Sequence, residues 1–319
     1  MALLEIEGLK TYFKTLRGYV KAVDDVSFKL EKGEALGLAG ESGCGKTTTA
    51  LSILKILPSN GEIVAGTIRF SGTDIVKIPE ETMRKKIRWS GISIVFQGAM
   101  NALNPVYKVG DQIVEAIQLH EDIKKDEAVK RTKKLLEMVG IEPSRFNNYP
   151  HEFSGGMRQR ALIAMSICSN PELLIADEIG TALDVIVQAQ ILKLLRELQK
   201  RLSLSMILIT HDLSIIAETC DKVSIMYAGK IVEYGSAQDI FLKPLHPYTQ
   251  GLISAFPNLL AERTKMTSIP GSPPDLLAPP SGCRFHPRCK YVMDICKKES
   301  PKLIEVNKGH YVACHLVSR

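Results

Sequence analysis

Eight residues, Gly40-Glu41-Ser42-Gly43-Cys44-Gly45-Lys46-Thr47, follow the pattern G-x-x-x-x-G-K-[ST]. They stand between an apolar run, Ala35–Ala39, and a helical pattern from Thr47 to Leu57. No other feature limits the fold as much. A strand that breaks into a glycine-rich turn and restarts as a helix aims several backbone N–H groups, and the positive end of the helix dipole, at one point. The ligand that fits is a chain of phosphates. Gly40, Gly43 and Gly45 let the backbone curl, the amides of Ser42, Cys44 and their neighbours face the oxygens, and Lys46 reaches the outer phosphates. Thr47 and Thr48 supply hydroxyls, with Thr47 placed to hold Mg²⁺. The pattern alone arises by chance; the strand before it and the helix after it make a nucleotide site the expectation.

A second apolar run, Leu173-Leu174-Ile175-Ala176, ends in Asp177-Glu178, and a third, Met206–Ile209, leads to His211. Ligands of open α/β sheets collect at the C-terminal ends of strands. Asp177 is therefore placed to hold Mg²⁺ through water, and Glu178, facing another way, to polarise an attacking water. Near-continuous apolar runs of this kind mark strands covered on both faces. Their alternation with helical stretches predicts an α/β core with right-handed crossovers.

The stretches Leu3–Glu7, Val20–Val23 and Val26–Leu30 read as antiparallel strands, with further strand signals at Gly66–Phe70 and Ile92–Phe96. From Val109 to about Met165 the pattern is helical, and its basic Lys124–Lys134 stretch reads as a solvated helix face. Lys222–Met226 and Ile231–Tyr234 form a hairpin turned by Ala228-Gly229-Lys230. Eight of the chain's 16 prolines lie between Pro244 and Pro280. That stretch reads as an extended linker that wraps rather than folds by itself, ahead of a compact piece holding four cysteines. The expected division is a nucleotide-binding domain at 1–242, with a helical subdomain at about 98–165, and a linker plus cysteine cluster at 243–319.

Bulk properties remove several classes. With 319 residues, 45% apolar and 24% charged, the chain has the make-up of an ordinary globular protein. No apolar run approaches the ~20 residues that cross a bilayer, and Glu5 and Glu7 interrupt the N-terminus where a signal peptide would be apolar. The expectation is a cytosolic protein whose membrane role comes through partners. Of the net charge of +6, most lies in the tail from Cys283 to Arg319, with eight Lys/Arg against three Asp/Glu. The remainder lacks the basic stripe that nucleic-acid binding needs. The tail reads first as a solvated face and second as a contact for a partner or an anionic lipid surface.

Ser154-Gly155-Gly156-Met157-Arg158-Gln159-Arg160 narrows the reading. It resembles the signature of the ATP-binding cassette (ABC) family, with F-S-G-G-M where L-S-G-G-Q is usual. Gln97 resembles that family's Q-loop, His211 its switch histidine and Ala182-Leu183-Asp184 its D-loop. The resemblance covers roughly residues 1–242, with six motifs in order. It implies a P-loop NTPase cassette of α/β class with a mixed β core, an antiparallel β subdomain and a helical signature subdomain, here followed by a small C-terminal Cys-rich extension. On physical grounds Ser154 is an N-cap candidate, Gly155 and Gly156 permit close approach of a ligand, and the helix starting there aims about half a positive charge outward. The resemblance implies that this helix meets the γ-phosphate of ATP held by a second cassette, in a head-to-tail dimer.

The same resemblance implies the roles. Lys46, Thr47, Thr48 and the loop amides bind phosphates and Mg²⁺, Gln97 and Asp177 complete the metal and water shell, and Asp184 of the D-loop joins the nucleotide-binding residues. Glu178 is the general base, and His211 orients the γ-phosphate and the water. For adenine, Phe13 has the best spacing and Tyr12 is the reserve, although aromatics in first strands commonly serve the core. After Glu178 stands Ile179-Gly180-Thr181 where close relatives have Pro-Thr-Thr or Pro-Thr-Ser. The change removes a stiff residue and adds freedom beside the base, but no catalytic side chain is lost, so an active ATPase is expected.

Gln97-Gly98-Ala99-Met100-Asn101-Ala102-Leu103-Asn104-Pro105, Tyr149-Pro150-His151-Glu152-Phe153 and Leu245-His246-Pro247-Tyr248-Thr249 resemble the ATPase subunits of dipeptide and oligopeptide importers, the D-type subunit in particular. This implies as partners a second ABC ATPase subunit (identical or paralogous), two transmembrane permease subunits and an extracytoplasmic solute-binding protein, with no nucleic acid and a place at the cytoplasmic face of the membrane. An oligosaccharide importer, or a soluble cassette ATPase acting on DNA or the ribosome, is the alternative; the latter usually carries insertions or a second cassette, and this chain has one uninterrupted cassette.

Cys283, Cys289, Cys296 and Cys314 are spaced C-x5-C-x6-C-x17-C, while Cys44, Cys168 and Cys220 are scattered. Clustered cysteines in a cytosolic protein argue for metal over disulfides. Four thiolates suit zinc or a [4Fe–4S] cluster. The importer resemblance implies [4Fe–4S], with zinc less favoured and disulfides or free thiols open.

Overall fold

The structure, a computed structural model, describes residues 2–96, 98, 102–180, 183–255 and 269–317. Gln97 and Ala182, the latter the first residue of the expected D-loop, lie outside the described residues. The chain divides into two units, one of residues 1–77 with 209–319 and one of residues 78–208.

The first unit opens with β1 (Ala2–Thr15), β2 (Gly18–Glu31), β3 (Ala35–Ala39), α1 (Lys46–Leu54), β4 (Gly61–Phe70) and β5 (Thr73–Asp74). Four of these form an antiparallel sheet in the order β2-β1-β4-β5. The two strands expected on either side of Asp24-Asp25 are one. Pairing steps from Leu9↔Val26 to Lys10↔Asp24, so Asp25 is an extra residue, bulged at φ +67°. A bulge of this kind bends a ladder without ending it. Thr11 Oγ1 and Ser52 Oγ, both buried and 2.8 Å apart, tie β1 to α1.

The second unit holds α2 (Glu80–Thr82), β6 (Ile92–Val95), α3 (Val109–His120), α4 (Lys125–Met138), α5 (Gly155–Ser166), β7 (Leu173–Asp177), α6 (Val185–Leu202) and β8 (Ser205–Ile209). β6 and β7 run parallel, from Ile92↔Leu173 to Val95↔Ala176, and β8 lies beside β7. β7 and β8 are buried at every position, as their unbroken apolar runs require. In α4, Ala128, Thr132, Leu135 and Leu136 face inward while its lysines are exposed, so the basic stretch is a solvated face.

The first unit resumes with α7 (Leu213–Thr219), β9 (Lys222–Tyr227), β10 (Lys230–Ser236), α8 (Ala237–Leu242), α9 (Pro247–Ser254), α10 (Asp294–Lys298), β11 (Ile304–Asn307) and β12 (His310–Val312). β3 pairs in parallel with β9, and β10 and β12 follow antiparallel, so the terminal hairpin extends the sheet that carries the glycine-rich loop. The Pro-rich stretch differs from the extended linker expected of it. Pro247 takes the first position of α9 and His246 Nδ1 accepts the Tyr248 N–H at 3.0 Å, so a proline placed at a helix start favours the helix. Glu233 of β10 is fully buried. Its carboxylate accepts the Leu245 and His246 N–H groups at 2.8 and 3.0 Å and the His310 Nε2–H at 2.8 Å.

Candidate active site

The glycine-rich loop leaves the buried end of β3 and enters α1 through two glycines that no other residue replaces. Gly40 has φ +147° and Gly45 φ +107°, and a Cβ at either would strike a backbone carbonyl, of Met226 and Ala22 respectively. The loop therefore lies flat on β9 and β2. No side chain caps α1, whose N-cap is Gly45, so its first amides face the loop's concave side as ligand donors. Ser42 and Thr47 are exposed, Gly43 sits at φ +77° and Thr48 is half-buried. The Lys46 ammonium, nearly buried, is turned back into the loop and donates to the Gly40 and Glu41 carbonyls at 2.8 and 3.1 Å. Burial pushes the Cys44 thiol pKa up, against the pull of the Lys46 charge, so Cys44 stays a protonated filler rather than a nucleophile.

Of the two aromatic candidates for adenine, Tyr12 is committed elsewhere. Its hydroxyl donates to Asp24 Oδ1 at 2.9 Å, and burial together with that carboxylate pushes its pKa up to about 12. Phe13 is half-buried, its ring against Gly61, where a Cβ would come within 2.7 Å of Phe13 Cε1. His211 is exposed in the turn before α7. The turn is set on both sides of it, by the Asp212 N–H on Thr210 Oγ1 at 3.1 Å and by Asp212 Oδ1 accepting the Ser214 N–H at 2.9 Å.

In the second unit, Asp177 closes β7 and is buried, and Glu178 follows at φ +47°. A left-handed conformation at a non-glycine residue costs of order 1 kcal/mol, and such residues gather at functional sites. Gly180, at φ +104°, adopts a conformation that a threonine rarely takes. The departure noted in the sequence is therefore built into the turn. Ser154 caps α5, its Oγ accepting the Met157 N–H at 3.3 Å, and Gly155 is the first residue of that helix. Gly156 has a packing reason as well as a ligand reason, since a Cβ there would lie 2.6 Å from Val187 Cγ1 of α6. Asp184 caps α6, with Oδ1 accepting the Val187 N–H at 2.9 Å.

Two contacts at the loop had no signature in the sequence. The Glu41 N–H donates to the Tyr248 hydroxyl at 2.9 Å, and the Glu41 carboxylate is paired by both terminal nitrogens of Arg288, at 2.6 and 2.9 Å. The partners are more than 200 positions apart, and neither pattern nor spacing connects them.

The oxygen donors expected for Mg²⁺, the Thr47 hydroxyl and the Asp177 carboxylate, are of the type a hard cation takes, and exposed Thr47 fits such a role. The cysteines fare differently. Burial first, and then the neighbouring Cys296, Cys314 and Cys289 thiols, push the Cys283 pKa up to about 11, so the fold does gather the four. Among the described residues, however, no group of three or more His, Cys, Asp or Glu side chains is arranged to hold a metal ion, and no cysteine forms a disulfide. The expected [4Fe–4S] cluster and its zinc alternative therefore gain no support from the geometry.

The family profile described as ABC transporter matches residues 23–181, and that described as Oligopeptide/dipeptide transporter, C-terminal region, matches residues 232–296. Over 315 residues the chain is 47% identical to the oligopeptide transport ATP-binding protein OppD of Escherichia coli strain K12, covering 98% of this chain and 93% of that protein. The chain belongs to the oligopeptide/dipeptide branch of the ABC transporter family. OppD of Bacillus subtilis strain 168 is 48% identical over 319 residues, covering 99% and 89%. Among solved structures, the dimeric post-hydrolysis state of the ATP-binding cassette MJ0796 bound to ADP and Pi matches with a TM-score of 0.66, over 73% of this chain and 98% of that chain, at 22% identity. That likeness is one of fold. The expected cassette, with its antiparallel β subdomain and helical signature region, is the fold of this ABC ATPase.

Proposed function

We infer that this ABC ATPase is the ATP-hydrolysing, energy-coupling subunit of a membrane importer for dipeptides or oligopeptides. The observation that carries the reading is the Gly40–Thr47 loop held flat between β3 and α1, in a chain that matches OppD along nearly its whole length. ATP binds with its phosphates along that loop. Lys46 exchanges two neutral carbonyl acceptors for charged phosphate oxygens, a stronger pairing. Phe13 stacks on adenine. Thr47, Asp177 and Gln97 would hold Mg²⁺, which supplies neutralising charge to the β- and γ-oxygens when bound. The Glu178 carboxylate takes a proton from the attacking water, His211 orients that water against the γ-phosphate, and ADP and phosphate leave.

Each chain lends its Ser154 helix to the triphosphate of a second cassette subunit. Val185 and Ile186, 80% and 72% exposed at the start of α6 beside Asp184, support such a partner face. No helix among the described residues is long and apolar enough to cross a membrane. Contact with the bilayer is therefore assigned to two permease subunits, the chain sitting peripherally at the cytoplasmic face and a solute-binding protein serving the other side.

Co-assembly with the permease in vesicles tests this. ATP-dependent uptake of labelled peptide should be abolished by Lys46→Ala, and a complex that turns over ATP without moving any di- to pentapeptide would overturn it. A [4Fe–4S] cluster on Cys283, Cys289, Cys296 and Cys314 stands as a proposal on donor chemistry alone, with zinc second. Iron, acid-labile sulfide and zinc analysis of anaerobically purified protein decides between them.

A further inference from the structure

Two arginines of one five-residue stretch, Arg284 and Arg288, reach from the C-terminal region into the nucleotide half of the first unit. Arg284 donates to the Ala228 carbonyl and to Asp24, the carboxylate that also holds Tyr12. Arg288 reaches the phosphate loop itself. Its side chain is 6% exposed and its guanidinium lies 5.7 Å over the Tyr227 ring. Nε donates to the Pro270 carbonyl at 2.7 Å, and the terminal nitrogens reach the Tyr227 hydroxyl and the Gly271 carbonyl at 3.3 Å besides pairing Glu41. A guanidinium with its planar fork engaged on every side is fixed in position. Tyr248, packed on Tyr227 and Phe285 with ring centres 4.7 and 5.4 Å away, accepts the Glu41 N–H. Both polar ends of Glu41, amide and carboxylate, are thus held by C-terminal residues.

Glu41 is the one anion in a loop built to receive a polyanion. Left alone, its carboxylate would repel the incoming phosphates and compete for Lys46, whose ammonium already lies 3.1 Å from Glu41's own carbonyl. We propose that Arg288 is a positioning residue for ATP: it pairs and fixes the Glu41 carboxylate, so that the loop offers its amides and Lys46, and not a negative charge, to the triphosphate. This deepens the ATPase reading and rests on the Gly40–Thr47 loop being the ATP site. The C-terminal region acquires a task in the reaction from it, because the residue that quiets the loop directly precedes Cys289.

The test uses the full chain, titrated with a fluorescent methylanthraniloyl-ATP and Mg²⁺, alongside steady-state hydrolysis. Arg288→Ala should weaken nucleotide binding about tenfold and raise KM to match, with kcat within about twofold. Arg288→Lys, which keeps the charge but loses the fork, should weaken binding about threefold. The decisive variant is Glu41→Gln with Arg288→Ala, which leaves no lone carboxylate and should recover to within about threefold of wild type. A purely structural Arg288 would give no such rescue. Wild-type affinity in Arg288→Ala, or a double variant as weak as Arg288→Ala alone, overturns the proposal. If Arg288→Ala yields no soluble protein, Arg288→Lys decides, and unchanged binding there overturns it. A wild-type chain that fails to bind the nucleotide would instead refute the loop reading, and the role of Arg288 with it.

Discussion

Glu233 gives the sharpest test of how the C-terminal region is held. Its buried carboxylate accepts three donors, the N–H groups of Leu245 and His246 where the chain enters α9 and the ring N–H of His310 on β12. Glu233→Ala removes all three acceptor contacts at once. His246 and His310 are buried, 1% and 2% exposed, so water does not replace them, whereas half-buried Leu245 keeps some access. An orphaned buried donor costs about 1–3 kcal/mol, which gives a loss of roughly 3–6 kcal/mol. At about 2 °C per kcal/mol for a chain of this size, Tm should fall by roughly 6–12 °C. Glu233→Gln keeps one acceptor oxygen and should lose about half as much. Because Tyr248 follows His246 by two positions and holds Glu41, ATP affinity should weaken along with stability. Calorimetric melts with and without ATP read both effects. A Glu233→Ala chain melting within about 2 °C of wild type would refute the reasoning.

His246 predicts a pH dependence. Burial lowers its pKa to about 3, against about 6.5 when unfolded. Between those values the unfolded chain holds a proton that the folded chain does not, so stability is complete above pH ~6.5 and declines as pH falls. Urea unfolding should show a loss of about 2 kcal/mol from this residue between pH 7.5 and pH 5, and His246→Gln should flatten that slope; an unchanged slope contradicts it. Gly156→Ala places a methyl 2.6 Å from Val187 Cγ1 and should cost about 1–3 kcal/mol. Val187→Ala in the same chain should restore the melting temperature that Gly156→Ala lost, and a single variant as stable as wild type would show the packing argument to be wrong.

The strands of the core were legible because burial on both faces writes itself as unbroken apolar runs. Leu173–Asp177 and Ser205–Ile209 lie within a residue of the expected bounds. The glycine-rich loop was legible for a related reason, since the strained backbone at Gly40 and Gly45 admits one residue type. What escaped was non-local. The Asp24-Asp25 pair divides β2 in the sequence, but the bulge at Asp25 depends on how β1 lies against it. Pro247 suggested a linker, and only the His246 cap turns it into a helix start. The sequence offered Gly156 a ligand reason only; its packing reason comes from Val187 of α6, which only the fold puts beside it. Glu41, Tyr248 and Arg288 meet only through the folding of the C-terminal region onto the first unit's sheet, and a linear pattern holds no trace of that. The cysteine spacing suggested a metal centre, which stands on donor chemistry alone, since among the described residues no group of side chains is arranged to hold a metal ion.

Hydrolysis of ATP at the Lys46 loop, with Glu178 as the proposed proton acceptor, is the central claim. Phosphate release by the assembled complex should be measured for wild type and Glu178→Gln, with nucleotide affinity followed in the same samples. The expected result is a rate at least about 100-fold lower in Glu178→Gln with affinity kept within about threefold. Equal rates in the two proteins would contradict the central claim.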